Sequence, residues 1–268
     1  MGLSETIVYA LLQGMTEFLP ISSSGHLALL GELFFRHNNQ TFFFVVLHLG
    51  TLFAVLIFFR NDIIKLIKGL IKWLSYQEGN EIQSINLLLC IIVSTMVTGL
   101  LVFPFKDFVE DSFKSTMLIS INFLITGAIL LSTYLVGGKN SGEVNIKKSI
   151  IIGISQAIAV LPGISRSGAT ISTAILSGVR GEEAFRFSFL ISIPAVLGAA
   201  ILEMPSSGTL TTEMWWQYIM GFITSFLSGI ASLYLLGRII NKNKLYYFSF
   251  YCFLIGFSVL IAFYSGVK

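Results

Sequence analysis

The sequence predicts an all-α polytopic membrane protein: six transmembrane helices plus two re-entrant helical hairpins, arranged as an inverted-topology repeat. Three observations carry this. Of 268 residues, 54% are hydrophobic and only 12% charged, with a mean hydropathy of +0.83, against roughly 25% charged residues in an average soluble domain. Several uncharged runs reach the roughly 20 residues that a helix needs to cross about 30 Å of hydrocarbon. Two further segments are too long for one span, yet each is split near its middle by a stretch containing proline and serine.

Six stretches read as ordinary spans, at about 41–59, 85–105, 116–136, 186–202, 215–237 and 246–265. Runs such as "LLLCIIVSTMVTGLLVF" do not alternate in polarity, as barrel strands of about 10 residues would. Residues 5–35 are interrupted by "LPISSSG" and residues 149–178 by "LPGISRSG". The halves, of about 14 residues in the first segment, are too short to cross alone. Pro162 and Gly163 end one half-helix, and serines, which accept helix-starting N–H groups, begin the next. A pair of hairpins that enter and leave on one side, their turns buried in protein, satisfies both length and backbone hydrogen bonding.

Charge placement sets an orientation. With the amino terminus outside, the cytoplasmic stretches hold most of the basic residues, from Arg60 to Lys244, and the outer side keeps Arg36, Lys106, Lys114 and Lys268. That is the positive-inside pattern, and hairpins that truly spanned would give the same sidedness. Residues 60–74, "RNDIIKLIKGLIKWL", space Lys65, Lys68 and Lys72 on one helical face, as in an interfacial helix or a solvated loop helix. Ser4 and Glu5 stand where a cleavable signal would be basic, so the amino terminus is expected to remain part of the fold. Cys90 and Cys252 lie alone in apolar runs and read as buried free thiols. The three histidines, His26, His37 and His48, show no metal-ligand spacing, and a net charge of +3 argues for no nucleic-acid partner.

The pentapeptide I-S-x-S-G occurs at 21–25 and again at 164–168, and at the same offset Gln13 pairs with Gln156. The chain therefore reads as one membrane domain, 1–268, made of repeat 1 (about 1–136) and repeat 2 (about 149–268). Three crossings separate the copies, which inverts the second relative to the first. Two hairpin tips meeting near the midplane would aim two half-helix amino termini at one pocket. Arg166, a planar five-donor fork, makes phosphate the natural ligand there.

Ionisable residues inside a membrane are costly and usually functional. Gln13 and Glu17, four apart, share a helical face. His26 follows the first tip by about one turn, within reach of Ser22 and Ser23 as base, acid or hydrogen-bond partner. Ser24, Ser167, Gly25 and Gly168 read first as residues permitting close backbone approach, and Glu17 with Arg166 could be a buried ion pair joining the repeats. His48, in "LHLG", reads as a packing or interhelical hydrogen-bonding residue.

With these residues assembled, the sequence resembles the undecaprenyl-diphosphate phosphatase family of integral membrane enzymes, also known as bacitracin-resistance proteins. One signature reads "QGMTEFLPISSSGHL" and the other "PGISRSGAT". The resemblance implies hydrolysis of undecaprenyl diphosphate to the monophosphate carrier lipid and inorganic phosphate, from a site open to the outer face of the bacterial plasma membrane, with the carrier recycled for peptidoglycan synthesis and bacitracin resistance as a result. Carried over, it implies Glu17, Ser23, His26 and Arg166 as catalytic positions and Gln13, Ser22 and Ser165 as substrate contacts, to which Gly163 and Ser167 at the second tip are added. It also implies a divalent cation, Mg²⁺ or Ca²⁺. Carboxylate is scarce here, so such an ion is expected to bind jointly through Glu17 and substrate phosphates. Many members carry Glu where this chain has Gln13, which moves the burden of general base onto Glu17 or His26. Two mechanisms stay open: attack by Ser23 with His26 handling protons and Glu17 orienting His26 or a metal, or attack by water with Ser23 only binding phosphate. The expected partners are the polyprenyl diphosphate and membrane lipids, and a homodimer is compatible with all of this. The competing class is an inverted-repeat transporter or flippase for an anion or phosphate-bearing lipid. It is disfavoured by lopsided polarity, because Val160 and Ala169 stand at the positions corresponding to Glu17 and His26.

Overall fold

A computed structural model describes residues 2–33, 41–75, 82–136, 140–202 and 212–265; Arg36, His37 and Lys268, named above, lie outside these. Among the described residues the regular structure is helical. The first broken segment is α1 (Leu3–Phe18) and α2 (Ser23–Leu33), followed by α3 (Thr41–Phe58), α4 (Arg60–Leu74) and α5 (Ile82–Val102). A short α6 (Lys106–Ser112) leads to α7 (Thr116–Ser132). The second broken segment is α8 (Ile146–Ile158) and α9 (Arg166–Leu176), and α10 (Gly181–Leu202), α11 (Thr212–Asn241) and α12 (Tyr247–Tyr264) complete the chain.

Both interruptions fall where the sequence places them. Proline disfavours helical backbone in the residue before it, and Leu19, preceding Pro20, is extended at φ −62° and ψ 143°. Ser22 then takes a left-handed φ of +65°, and α2 starts at the next residue. In the second break Gly163 sits at φ +92°, and a side chain there would run into α7, its Cβ 2.7 Å from that of Asn122 and in collision with the Ile119 carbonyl. The expected spans correspond to α3, α5, α7, α10, α11 and α12. Among the described residues five helical stretches are long and apolar enough to cross a membrane unaided, and α3 joins them only if paired with α4, from which it is bent by 72°.

The surface of the bundle is rich in exposed apolar side chains, while many polar ones lie inside. Leu100, Phe103 and Leu135 are 71%, 79% and 84% exposed, whereas Gln13, Ser94, Ser120 and Thr170 are at 0%. In lipid the polar groups must find partners inside. α1 packs on α11, α8 on α5, α3 on α11 and α7 on α12, with small residues at the crossings: a Cβ on Gly153 would lie 2.7 Å from the Ser94 carbonyl. Under the two breaks, Phe18, Phe59, Phe185 and Phe189 form a buried aromatic cluster, the Phe18 and Phe189 rings meeting edge-on at 5.4 Å. On α4 the lysines are exposed beside an exposed stripe of Ile64, Ile67 and Ile71, while Leu66 and Gly69 turn inward.

Gly178 has a similar φ of +82° but nothing within 4 Å of a Cβ. Gly178→Ala should therefore cost only the left-handed penalty of roughly 1–2 kcal/mol. Gly163→Ala should cost roughly 1–3 kcal/mol more from overpacking, read as a larger fall in apparent Tm in detergent.

Candidate active site

The two breaks touch. The Gly163 amide donates to Ser22 Oγ at 3.1 Å, a Cβ on Gly25 would lie 2.9 Å from Gly163 Cα, and one on Gly168 would lie 3.2 Å from Pro20. Neighbouring helices satisfy the carbonyls that the interruptions release. From α7, Asn122 Nδ2 donates to the Pro162 carbonyl at 2.7 Å and Thr126 Oγ1 to that of Gly163 at 2.8 Å. From α12, the Cys252 thiol approaches the Pro20 carbonyl at 3.7 Å. Cys90 and Cys252 are both buried free thiols, as expected.

Ser22 and Ser165 occupy equivalent posts. Each lies just before a half-helix and accepts from the amide three residues on, Gly25 at 3.3 Å and Gly168 at 3.1 Å, which is how an N-cap satisfies first-turn donors. Ser167 Oγ lies 3.2 Å from Ser165 Oγ and reaches the Leu19 carbonyl at 3.5 Å. These hydroxyls hold the tips together. The amides of the first residues of α2 and α9 have no acceptor within their own helices, and they supply positive potential to the space between.

Glu17 is the centre of the site. It is 8% exposed and receives groups from four helices. Gln13, one turn earlier on α1, donates through Nε2 to Oε2 at 3.0 Å. Ser23, at the start of α2, donates its hydroxyl to the same oxygen at 2.5 Å. Arg166, at the start of α9, forms an ion pair with Oε1. His48 of α3 brings Nε2 to 3.9 Å from Oε2. Its Nδ1 donates to the Phe44 carbonyl at 2.8 Å, since a carbonyl can only accept, and Nε2 is the nitrogen that faces the carboxylate. Four of the expected residues, Gln13, Glu17, Ser23 and Arg166, are thus brought together.

His26 is placed elsewhere. Its Nδ1 lies 2.7 Å from the Ser22 carbonyl and its Nε2 2.7 Å from the Tyr251 hydroxyl, and the ring stacks on Tyr251 and meets Phe123 edge-on. Both nitrogens are occupied, and no hydrogen bond joins His26 to Ser23, Glu17 or Arg166. The expectation that Glu17 orients His26 does not match this arrangement, in which the histidine nearest Glu17 is His48. Consistent weighing of every polar residue inside a span is the signal that would have marked it.

A cavity of about 170 Å³ opens beside Glu17, walled by Ser22, Ser23, Ser24 and Arg166, by Thr98 of α5 and by Gln156 of α8. At about 30 Å³ per water molecule it has room for several oxygen-sized groups. Larger clefts, of about 320 and 480 Å³, flank Arg180; they contain none of the converging groups. The cavity does not make a cation site of its own. Its single carboxylate is engaged on one oxygen by Arg166 and on the other by Ser23 and Gln13. Among the described residues no three His, Cys, Asp or Glu side chains gather as ligands. A buried carboxylate held by a hydroxyl and a guanidinium can take a proton from that hydroxyl or from water, and can release the guanidinium to an incoming anion.

The chain is similar to known proteins along nearly its whole length. Proteins named undecaprenyl-diphosphatase match over nearly the whole length. That of Korarchaeum cryptofilum is 38% identical over 266 residues, covering 97% of this chain and 99% of its own. That of Carboxydothermus hydrogenoformans is 40% identical over 266 residues, covering 96% of each, and that of Methanococcus vannielii is 38% identical over 258 residues, covering 96% of this chain and 98% of its own. The sequence profile of the family described as "Bacitracin resistance protein BacA" matches residues 6–258, and the chain belongs to that family.

Proposed function

We propose that this protein hydrolyses undecaprenyl diphosphate to undecaprenyl phosphate and inorganic phosphate, returning the carrier lipid to peptidoglycan synthesis and so conferring resistance to bacitracin. The observation that carries the proposal is Glu17 held at once by Ser23 from one helix break and Arg166 from the other. The diphosphate enters beside the amino termini of α2 and α9, Arg166 swings from Glu17 onto phosphate oxygens, and Glu17 is freed as base. Ser23 Oγ attacks the terminal phosphorus and passes its proton to Glu17. The new Oγ–P bond forms as the bond from phosphorus to the bridging oxygen breaks, undecaprenyl phosphate leaves with the proton that Glu17 had taken, and water then cleaves the phosphoserine, its proton passing through Glu17 back to Ser23 Oγ. His26, both nitrogens engaged, sets the pitch of α2 against α12.

The same proposal includes an inverted repeat. Matching α1 with α8, α3 with α10, α5 with α11 and α7 with α12 reproduces the packing pattern: α1 on α11 answers α8 on α5, α3 on α11 answers α10 on α5, and α7 with α12 pairs with itself. On this reading the two segments are re-entrant hairpins in a bacterial plasma membrane, and the distribution of basic residues supports the first opening to the outer side. A transporter of this design needs comparable ligand groups on both tips, whereas only the first carries a carboxylate.

Purified protein should release phosphate from a polyprenyl diphosphate in detergent. Arg166→Lys should lower kcat/KM about 100-fold or more, since an ammonium cannot reproduce a bidentate clamp; Glu17→Gln should lose at least as much. Rates near the parent's for either would remove the site from the reaction. Ser23→Ala should fall at least about 100-fold, and acid quenching of the parent should trap phosphoserine. Near-parental turnover by Ser23→Ala, with no trapped adduct, would instead assign the attack to water.

A further inference from the structure

One polar group in the cavity wall has no part in the steps above. Gln156 is 2% exposed and lines the same space as Glu17, Ser23 and Arg166. Its Nε2 donates to Thr98 Oγ1 at 3.1 Å. The Thr98 hydroxyl proton is itself directed to backbone, with Ser94 O at 2.9 Å and Gly153 O at 3.0 Å, so Thr98 can only accept from Gln156. That settles which end of the amide is which. Oε1 is then left buried, and no group of the protein donates to it, a costly condition for a carbonyl oxygen. Gln13, its counterpart at the repeat offset, also keeps an unpartnered Oε1, but Gln13 is not part of the cavity wall.

The chemistry selects what Gln156 Oε1 can meet. Phosphate oxygens are acceptors, so a carbonyl oxygen repels them, and they belong with Arg166 and the helix amides. A carbonyl oxygen in a phosphate cavity needs a donor; Arg166 is engaged by Glu17 and then by phosphate, and the donor that hydrolysis itself brings is water. We infer that Gln156 holds the attacking water, one O–H on Gln156 Oε1 and the other toward Glu17. As the oxygen bonds to phosphorus, the second proton passes to Glu17, which in the phosphoserine route has by then released the proton taken from Ser23, and from Glu17 to the leaving oxygen. The bond broken is the one from phosphorus to its leaving oxygen, which is Ser23 Oγ in a phosphoserine or the bridging oxygen if water attacks the lipid directly. Thr98 is a positioning residue, acting through the amide it holds. The inference rests on the phosphatase reading and sharpens one step of it.

The test is steady-state phosphate release from a polyprenyl diphosphate by the parent, Gln156→Met and Thr98→Val, alongside binding of a polyprenyl methylene-bisphosphonate and apparent Tm. Gln156→Met keeps length without the acceptor, and should lower kcat about 30- to 100-fold while KM and analogue binding stay within about 3-fold. Thr98→Val leaves the acceptor but frees the amide, and should lose less kcat, again with binding unchanged. A kcat for Gln156→Met within 3-fold of the parent's would overturn the inference, as would analogue binding that weakens in step with kcat. If the parent releases no phosphate, the phosphatase reading itself fails; if the parent is active and Gln156→Met matches it, only the role of Gln156 falls.

Discussion

The ion pair between Glu17 and Arg166 bridges two helix breaks far apart in sequence, and each partner is tolerable in this environment only because the other is there. An isolated charge in a low-dielectric interior is strongly disfavoured, and removing one member of a buried pair typically costs about 3–5 kcal/mol. Arg166 opens α9 and Glu17 closes α1, so the pair forms only when the two interrupted segments dock tip to tip. Folding of the two halves and assembly of the site are therefore the same event. A phosphate ligand can replace Glu17 as the counter-charge of Arg166, and the carboxylate so released is left short of a partner until it takes a proton from the nucleophile.

The rest of the architecture is organised to keep the breaks open. A helix stopped inside a membrane releases carbonyls and amides that lipid cannot satisfy. Here side chains of α7 take the carbonyls of the second break, Cys252 of α12 approaches one of the first, and Ser22 and Ser165 cap the helices that restart. The resulting cavity is lined by Glu17, Arg166 and serines of both breaks together with Thr98 and Gln156, and Gln156 keeps a buried carbonyl oxygen that no group of the protein satisfies.

Several features were legible in the sequence for plain physical reasons. The length of hydrocarbon, set against the length of each apolar run, marked the spans and the broken segments. Pro20 and Pro162 located the interruptions to within a few residues, because proline constrains the residue before it. Glu17 and Arg166 stood out because a charge has no other reason to lie in such runs, and the spacing of Gln13 and Glu17 put them on one face. The reading of the histidines fared differently. His26 looked catalytic through its nearness in sequence to Ser23, yet one turn of α2 carries it to Tyr251. His48 looked like packing, yet α3 brings it to the carboxylate.

The composition and the placement of proline, serine and charge by themselves determined that this chain is a helical membrane protein with two interrupted segments and a polar centre, since the bilayer penalises any other arrangement of those residues. Which histidine faces Glu17, which serines cap helices and which one reaches the carboxylate, and that Thr98 and Gln156 close the cavity, were decided only by the tertiary structure. Those outcomes depend on the rotation of each helix about its axis, and that rotation is set by contacts between residues distant in the chain.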